Sequence, residues 1–150
     1  NRYQPLMYGL ATDDSHNYHE FGTAFSNAGR GWVMVQAERL DASSLINAME
    51  AGNFYASTGV EFKTLLFEKN EIRIEIAEEK DITYIINFIG VKKGKNDSKV
   101  IESVEGASAT FKITDEYLFV RASVTSNKPK YNPFEEGDFE MAWTQPVTYQ

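Results

Sequence analysis

The 150-residue chain contains no cysteine. That excludes a disulfide framework and any thiolate metal site, and it leaves the cellular compartment open. Histidine is nearly as scarce, with only His16 and His19. Basic residues are outnumbered: 15 Lys and Arg stand against 22 Asp and Glu, a net charge of −7. Nothing supplies the basic stripe that a nucleic-acid backbone requires, so no nucleic-acid partner is expected. The one basic cluster, Lys92, Lys93 and Lys95, reads as a solvated hairpin loop. No apolar run is long enough to form a membrane-spanning helix, so no membrane partner is expected. Internal repeats and low-complexity tracts are also lacking.

What is present suits a folded domain. Hydrophobic residues make up 42% of the chain and aromatics 13%, enough for a core and too much for a disordered segment. The length fits one domain, or one and a half small ones. The most chemical-looking stretch is Gly9-Leu10-Ala11-Thr12-Asp13-Asp14-Ser15-His16. An apolar lead-in ends in two adjacent carboxylates, and a histidine follows two residues after the second. Asp14 and His16 share parity, so an extended backbone would turn both to one side, where they can grip a divalent metal. The plainer alternative is a strand ending in a polar turn that Asp13 or Asp14 caps.

In chain order, residues 6–12 read as a short buried strand and 13–31 as a long, glycine-punctuated loop. Trp32–Ala37 suits a second buried strand. The spacing predicts a helix over 42–51: Asp41 is an N-cap, Leu40 and Leu45 match a hydrophobic staple, Leu45, Ala48 and Met49 form one apolar face, and Gly52 fits the C-terminal turn. Asn53–Gly59 reads as a connector or as a turn beside a site. From residue 60 the pattern turns to strands: 62–69 and 71–78 as a hairpin about Asn70, then 82–91, 100–104, 109–113, 117–125, 139–144 and 147–149, with 126–138 as an exposed excursion. That spacing indicates an antiparallel sandwich.

Three stretches together resemble one family. Gly9–His16, then Gly29-Arg30-Gly31-Trp32-Val33, then Ala48–Gly52 running into Asn53-Phe54-Tyr55-Ala56-Ser57-Thr58-Gly59, look like the C-terminal end of a PHP-domain (polymerase and histidinol phosphatase) metal-dependent phosphoesterase. Ala142-Trp143-Thr144-Gln145-Pro146-Val147 is similar to the chain end of members with an extra β domain. The resemblance implies an α+β, mainly β chain. Residues 1–60 would be the last β/α unit of a distorted barrel, and 61–150 an antiparallel β-sandwich appendage. It implies a cluster of divalent metals (Zn, Mn or Fe) in the complete protein, with Asp14 and His16 as the final ligands and a phosphorylated small molecule as substrate. Arg30 could meet a substrate phosphate, or form a surface ion pair as such arginines more often do.

The departures shape the expectation as much as the match. There is no His-x-His and no other ligand motif of the family, and two residues cannot complete a multinuclear site. The chain starts abruptly beside its most chemical residues. It therefore reads as a C-terminal portion, inert by itself and binding no metal alone, whose partner is the missing N-terminal barrel. Exposed edges of a partial barrel would invite homo-oligomers, and the 13–31 loop would be mobile or re-routed without its neighbours. The competing expectation is a non-catalytic binding or structural module in which Asp14 and His16 are vestigial.

Overall fold

The computed structural model describes residues 6–150; the first five residues of the expected barrel unit lie outside the described residues. The elements run β1 Trp32–Val35, α1 Ala42–Glu50, β2 Phe54–Ser57, β3 Phe62–Glu68, β4 Glu71–Ile76, β5 Tyr84–Lys92, β6 Lys99–Glu105, β7 Ser108–Lys112, β8 Tyr117–Pro129 and β9 Phe139–Thr144. The chain is mainly β. Its strands form two antiparallel sheets, ordered β1-β2-β9-β8-β5-β6 and β3-β4-β7, and neither closes into a barrel.

The local signals act as their chemistry requires. Asp41 caps α1 by accepting the Ser44 N–H at 2.9 Å, and Gly52 takes a φ of +77° just past the helix. The expected staple is not made, because Leu40 is 94% exposed. The helix is held by its Leu45, Ala48 and Met49 face, which lies toward β1. Lys69 and Asn70 both have positive φ, 50° and 63°, between the paired Glu68 and Glu71. That is a two-residue type I′ turn, whose twist matches the strands it joins. In β4, Ile72, Ile74 and Ile76 are buried at alternate positions, as a half-buried strand demands.

The core lies between the sheets. Ile72, Ile74 and Ile76 of β4 meet Ile86 and Phe88 of β5 and Val120, Ala122 and Val124 of β8. Phe88 stacks on Phe111 of β7 with ring centroids 5.0 Å apart, and Tyr55 of β2 meets Phe62 of β3 at 4.5 Å. Hydrogen bonding is continuous across residue 60, because β2 pairs with β9 in register Ala56 to Trp143.

Three expected elements differ. Residues 6–12 form no strand: Met7 is 89% and Leu10 58% exposed. Among the described residues only a side-chain amide engages this backbone as a neighbouring strand would, with Gly9 N–H donating to Gln145 Oε1 and Gln145 Nε2 donating to the Gly9 carbonyl. An apolar run forms a strand only where a ladder partner exists. Residues 147–149 provide a single bridge, Val147 to Val120, and not a strand. The excursion begins later than expected, because β8 continues to Pro129.

Phe88→Ala is expected to cost about 3–5 kcal/mol, since it removes a fully buried ring from the intersheet core. Leu40→Ala is expected to change stability by less than about 0.5 kcal/mol. Urea denaturation of the two variants beside the parent chain checks both; a costly Leu40→Ala would mean that the staple forms after all.

Candidate functional site

Asp13 organises the residues around the expected ligands. Its Oδ2 accepts the Gly29 N–H at 2.8 Å, and its Oδ1 accepts those of Arg30 at 2.6 Å and Gly31 at 2.7 Å. Three consecutive backbone donors thus converge on one carboxylate, an anion nest. The Gly-Arg-Gly sequence makes it possible. Gly29 has a φ of +83°, which favours glycine. At Gly31 a Cβ would come within 3.3 Å of the Ala11 Cβ and 3.4 Å of the Thr12 carbonyl. Burial pushes the Asp13 carboxyl up, but the Gly29, Gly31 and Arg30 N–H groups and the Arg30 charge outweigh it. The net effect is a pKa below the ordinary value.

Arg30 points away from Asp13 into a cage of its own, 8% exposed. Its Nε donates to the Asn132 carbonyl and its NH1 to the Phe25 carbonyl. NH2 donates to the Gly22 carbonyl and the Asn132 and Asn27 side-chain oxygens. The Phe134 ring lies 5.8 Å from its guanidinium carbon. Those donors are committed, so this side chain neither awaits a phosphate nor forms an exposed ion pair. It ties the 13–31 loop to the 130–138 excursion. Asn27, fully buried, completes the cage by donating to the Asn17 and Glu20 carbonyls and accepting the Gly22 N–H. The loop expected to be mobile is therefore densely cross-tied by polar side chains.

Asp14 and His16 emerge from this frame. Both are exposed, while Asp13, Ser15 and Asn17 between and beside them are half-buried. The backbone turns at Asp14, which has a φ of +48°, a region aspartate tolerates better than most residues, so the pair does not sit on the extended backbone that the parity reading assumes. His16 Nδ1 lies 2.6 Å from the Asp14 carbonyl. A carbonyl oxygen only accepts, so this contact puts the proton on Nδ1 and leaves the Nε2 lone pair available. His16 is also pinned through its backbone, whose N–H donates to the Ser26 carbonyl at 2.8 Å. His19 is exposed and stands apart from these contacts. Among the described residues, no group of three or more His, Asp or Glu side chains is placed to hold a metal.

The structure brings Ala11–His16, Gly29–Val33 and the Ser57–Gly59 turn to one end of β1 and β2, while Ala48–Asn53 lie at the other end, where the Gln36 N–H donates to the Asn53 carbonyl. The nest holds Gly29–Gly31 against residues 11–13, and Trp32, next in line, pairs with Ser57. Ser57 is fully buried; its hydroxyl donates to the Val60 carbonyl at 2.7 Å and accepts the Gly59 N–H at 3.0 Å. The Ser-Thr-Gly turn is thus a structural lock on the end of β2. Comparison with models of known protein families, with characterised proteins and with solved structures finds no match.

Sequence reasoning selects Asp14 by parity, allows Asp13 only a capping role, and misses Asn27 and Asn132. The signal for Asp13 was present: a carboxylate needs donors, and a Gly-Arg-Gly stretch can aim three of them at one point. Because folding lowers the Asp13 pKa, its contribution to stability is complete above the unfolded value of about 4 and is lost as pH falls through the lower folded value. Amide exchange at Gly29–Gly31 should stay protected down to pH 4 and open on further acidification. Asp13→Asn, which leaves three N–H donors facing one oxygen, should remove about 1–3 kcal/mol of local protection at neutral pH. A carboxyl titrating at or above the ordinary range, read by NMR, would contradict the nest.

Proposed function

We propose that this chain carries the last two metal ligands of a metal-dependent phosphoesterase, Asp14 and His16, with the remaining donors coming from outside the described residues. The observation that carries this reading is the division of labour between adjacent carboxylates. Asp13 is consumed by backbone donors, which leaves Asp14 free and exposed beside an imidazole whose Nε2 is available. A carboxylate oxygen and a neutral imidazole nitrogen suit Zn²⁺, Mn²⁺ or Fe²⁺. Such a metal would supply Lewis acidity and activate water for attack on a phosphate ester.

The residues of this chain bind and orient. His16 offers Nε2 because the Asp14 carbonyl holds its Nδ1 proton. Asp14 presents its carboxylate from a bend that the Asp13 nest fixes. Met7 and Leu10, exposed on the segment leading to the site, offer the rest of a barrel an apolar surface. Two donors do not complete a multinuclear centre, so this chain alone is inert toward phosphate esters.

One observation favours a second reading. The loop is cross-tied by its own side chains and carbonyls, and Arg30 is spent on carbonyl oxygens. A purely structural loop, with Asp14 and His16 vestigial, would look the same. Metal titration separates the two. Zn²⁺ added to this chain should shift the His16 ring resonances, leave those of His19 in place, and lose this effect in Asp14→Ala. With Mn²⁺ or Zn²⁺ present, hydrolysis of p-nitrophenyl phosphate should stay at background. Unmoved His16 signals would favour the vestigial reading, and robust turnover would show that the site is complete within the chain.

A further inference from the structure

The two sheets are unequal, and the inequality falls in one place. Phe111 on Phe88 sets β7 of the small sheet over β5, and Phe62 on Tyr55 sets β3 over β2. β1 lies one strand beyond β2 in the large sheet and has no strand of the small sheet above it. Met34 of β1, in register with the inward-facing Tyr55, borders the opening that results. This is a cleft of about 660 Å³ whose walls include Tyr8, Met34, Tyr55, Leu65, Phe67 and Val147.

β3 forms the free edge of the small sheet along this cleft. In its two-residue hairpin with β4, Glu68 and Glu71 close the turn as a hydrogen-bonded pair. Alternation then gives Leu66 and Thr64 to β4 as well, and turns the N–H and C=O groups of Leu65 and Phe67 outward. The β4–β7 ladder agrees: the Ile76 N–H donates to the Ala107 carbonyl and the Ile113 N–H to the Asn70 carbonyl, so the even positions of β4 serve β7 and the odd ones serve β3. Among the described residues no hydrogen bond engages the outward groups of Leu65 and Phe67. Leu66, between them, is exposed on the outer face.

From this geometry we infer that the cleft is a strand-addition site for an extended segment of another polypeptide, read as apolar-x-apolar. Pairing with Leu65 and Phe67 would satisfy four backbone groups. The two ligand residues opposite them would point inward over Met34 and Tyr55, and the residue between them would lie beside Leu66. A second copy of this chain does not fit that place through its own β3. Its large sheet would follow beneath its β3 and meet β1, which already lies there. A single strand brings no second layer. The inference is independent of the metal reading, since none of these residues touches Asp14 or His16.

The test uses the intact chain and a blocked heptapeptide, Thr-Thr-Val-Thr-Leu-Thr-Thr, followed by NMR and amide exchange. The peptide should bind saturably below about 1 mM, slow exchange of the Leu65 and Phe67 amides at least about tenfold, and leave the β4 amides unchanged. N-methylation of its Val and Leu amides should weaken binding at least about tenfold, as should Met34→Arg, which fills the cleft without touching the β3 ladder. Three outcomes would overturn the inference: no protection of Leu65 and Phe67, equal binding of the methylated peptide, or protection that follows protein concentration, which would mean self-association.

Discussion

The contact on which the candidate site depends is the cradle of three backbone N–H groups around Asp13. A carboxylate at this depth is stable only if donors replace its lost water, and Gly29, Arg30 and Gly31 do so within 2.8 Å. The consequences spread both ways along the chain. Upstream, the cradle holds residues 11–13 against the start of β1, although those residues join no ladder. Downstream, it sets the bend at Asp14 and, through the Asp14 carbonyl, the tautomer of His16. One ion–backbone contact thereby bears on both the position of the candidate ligands and the tautomer of one of them.

The same cradle explains how a long loop can be ordered without secondary structure. Ordering backbone costs roughly 1–2 kcal/mol per residue, and residues 13–31 contribute little apolar burial. Arg30 and Asn27 compensate by acting as polar cores. A guanidinium with its donors on carbonyl oxygens needs no carboxylate partner to be satisfied. A buried amide that both donates and accepts can replace a strand neighbour, as Asn27 does for Asn17, Glu20 and Gly22. Asn132 joins this network from 102 residues away, which couples the excursion after β8 to the site loop.

Legibility in the sequence followed the range of the interaction. The helix cap at Asp41, the turn at Lys69-Asn70 and the alternation of Ile72, Ile74 and Ile76 depend on neighbours a few positions away, and each was readable. The partition of strands into a six-stranded and a three-stranded sheet was not, because alternation says which face is buried and not which strand lies beside it. Residues 6–12 show the limit from the other side. Their apolar pattern is a genuine strand signal, but a strand also needs a partner, and here only the Gln145 amide serves. The cage around Arg30 was not readable for a related reason: most of its partners are carbonyl oxygens, which every residue carries and which leave no mark in a sequence.

The adjacent aspartates carry the most general lesson about the site. They are chemically identical, and parity alone selects Asp14 as the partner of His16. The structure supplies an independent ground for the same choice. The backbone donors of Gly29–Gly31 occupy both oxygens of Asp13 and stabilise its charged form, which lowers its proton affinity. Among the described residues Asp14 has no such donors. In this chain Asp13, which meets the glycine-flanked turn, is the anchor, and on the proposed reading its neighbour Asp14 is the residue left to act as a ligand. That separation of roles makes the pair informative, where a lone Asp-x-His would fit a capped turn equally well.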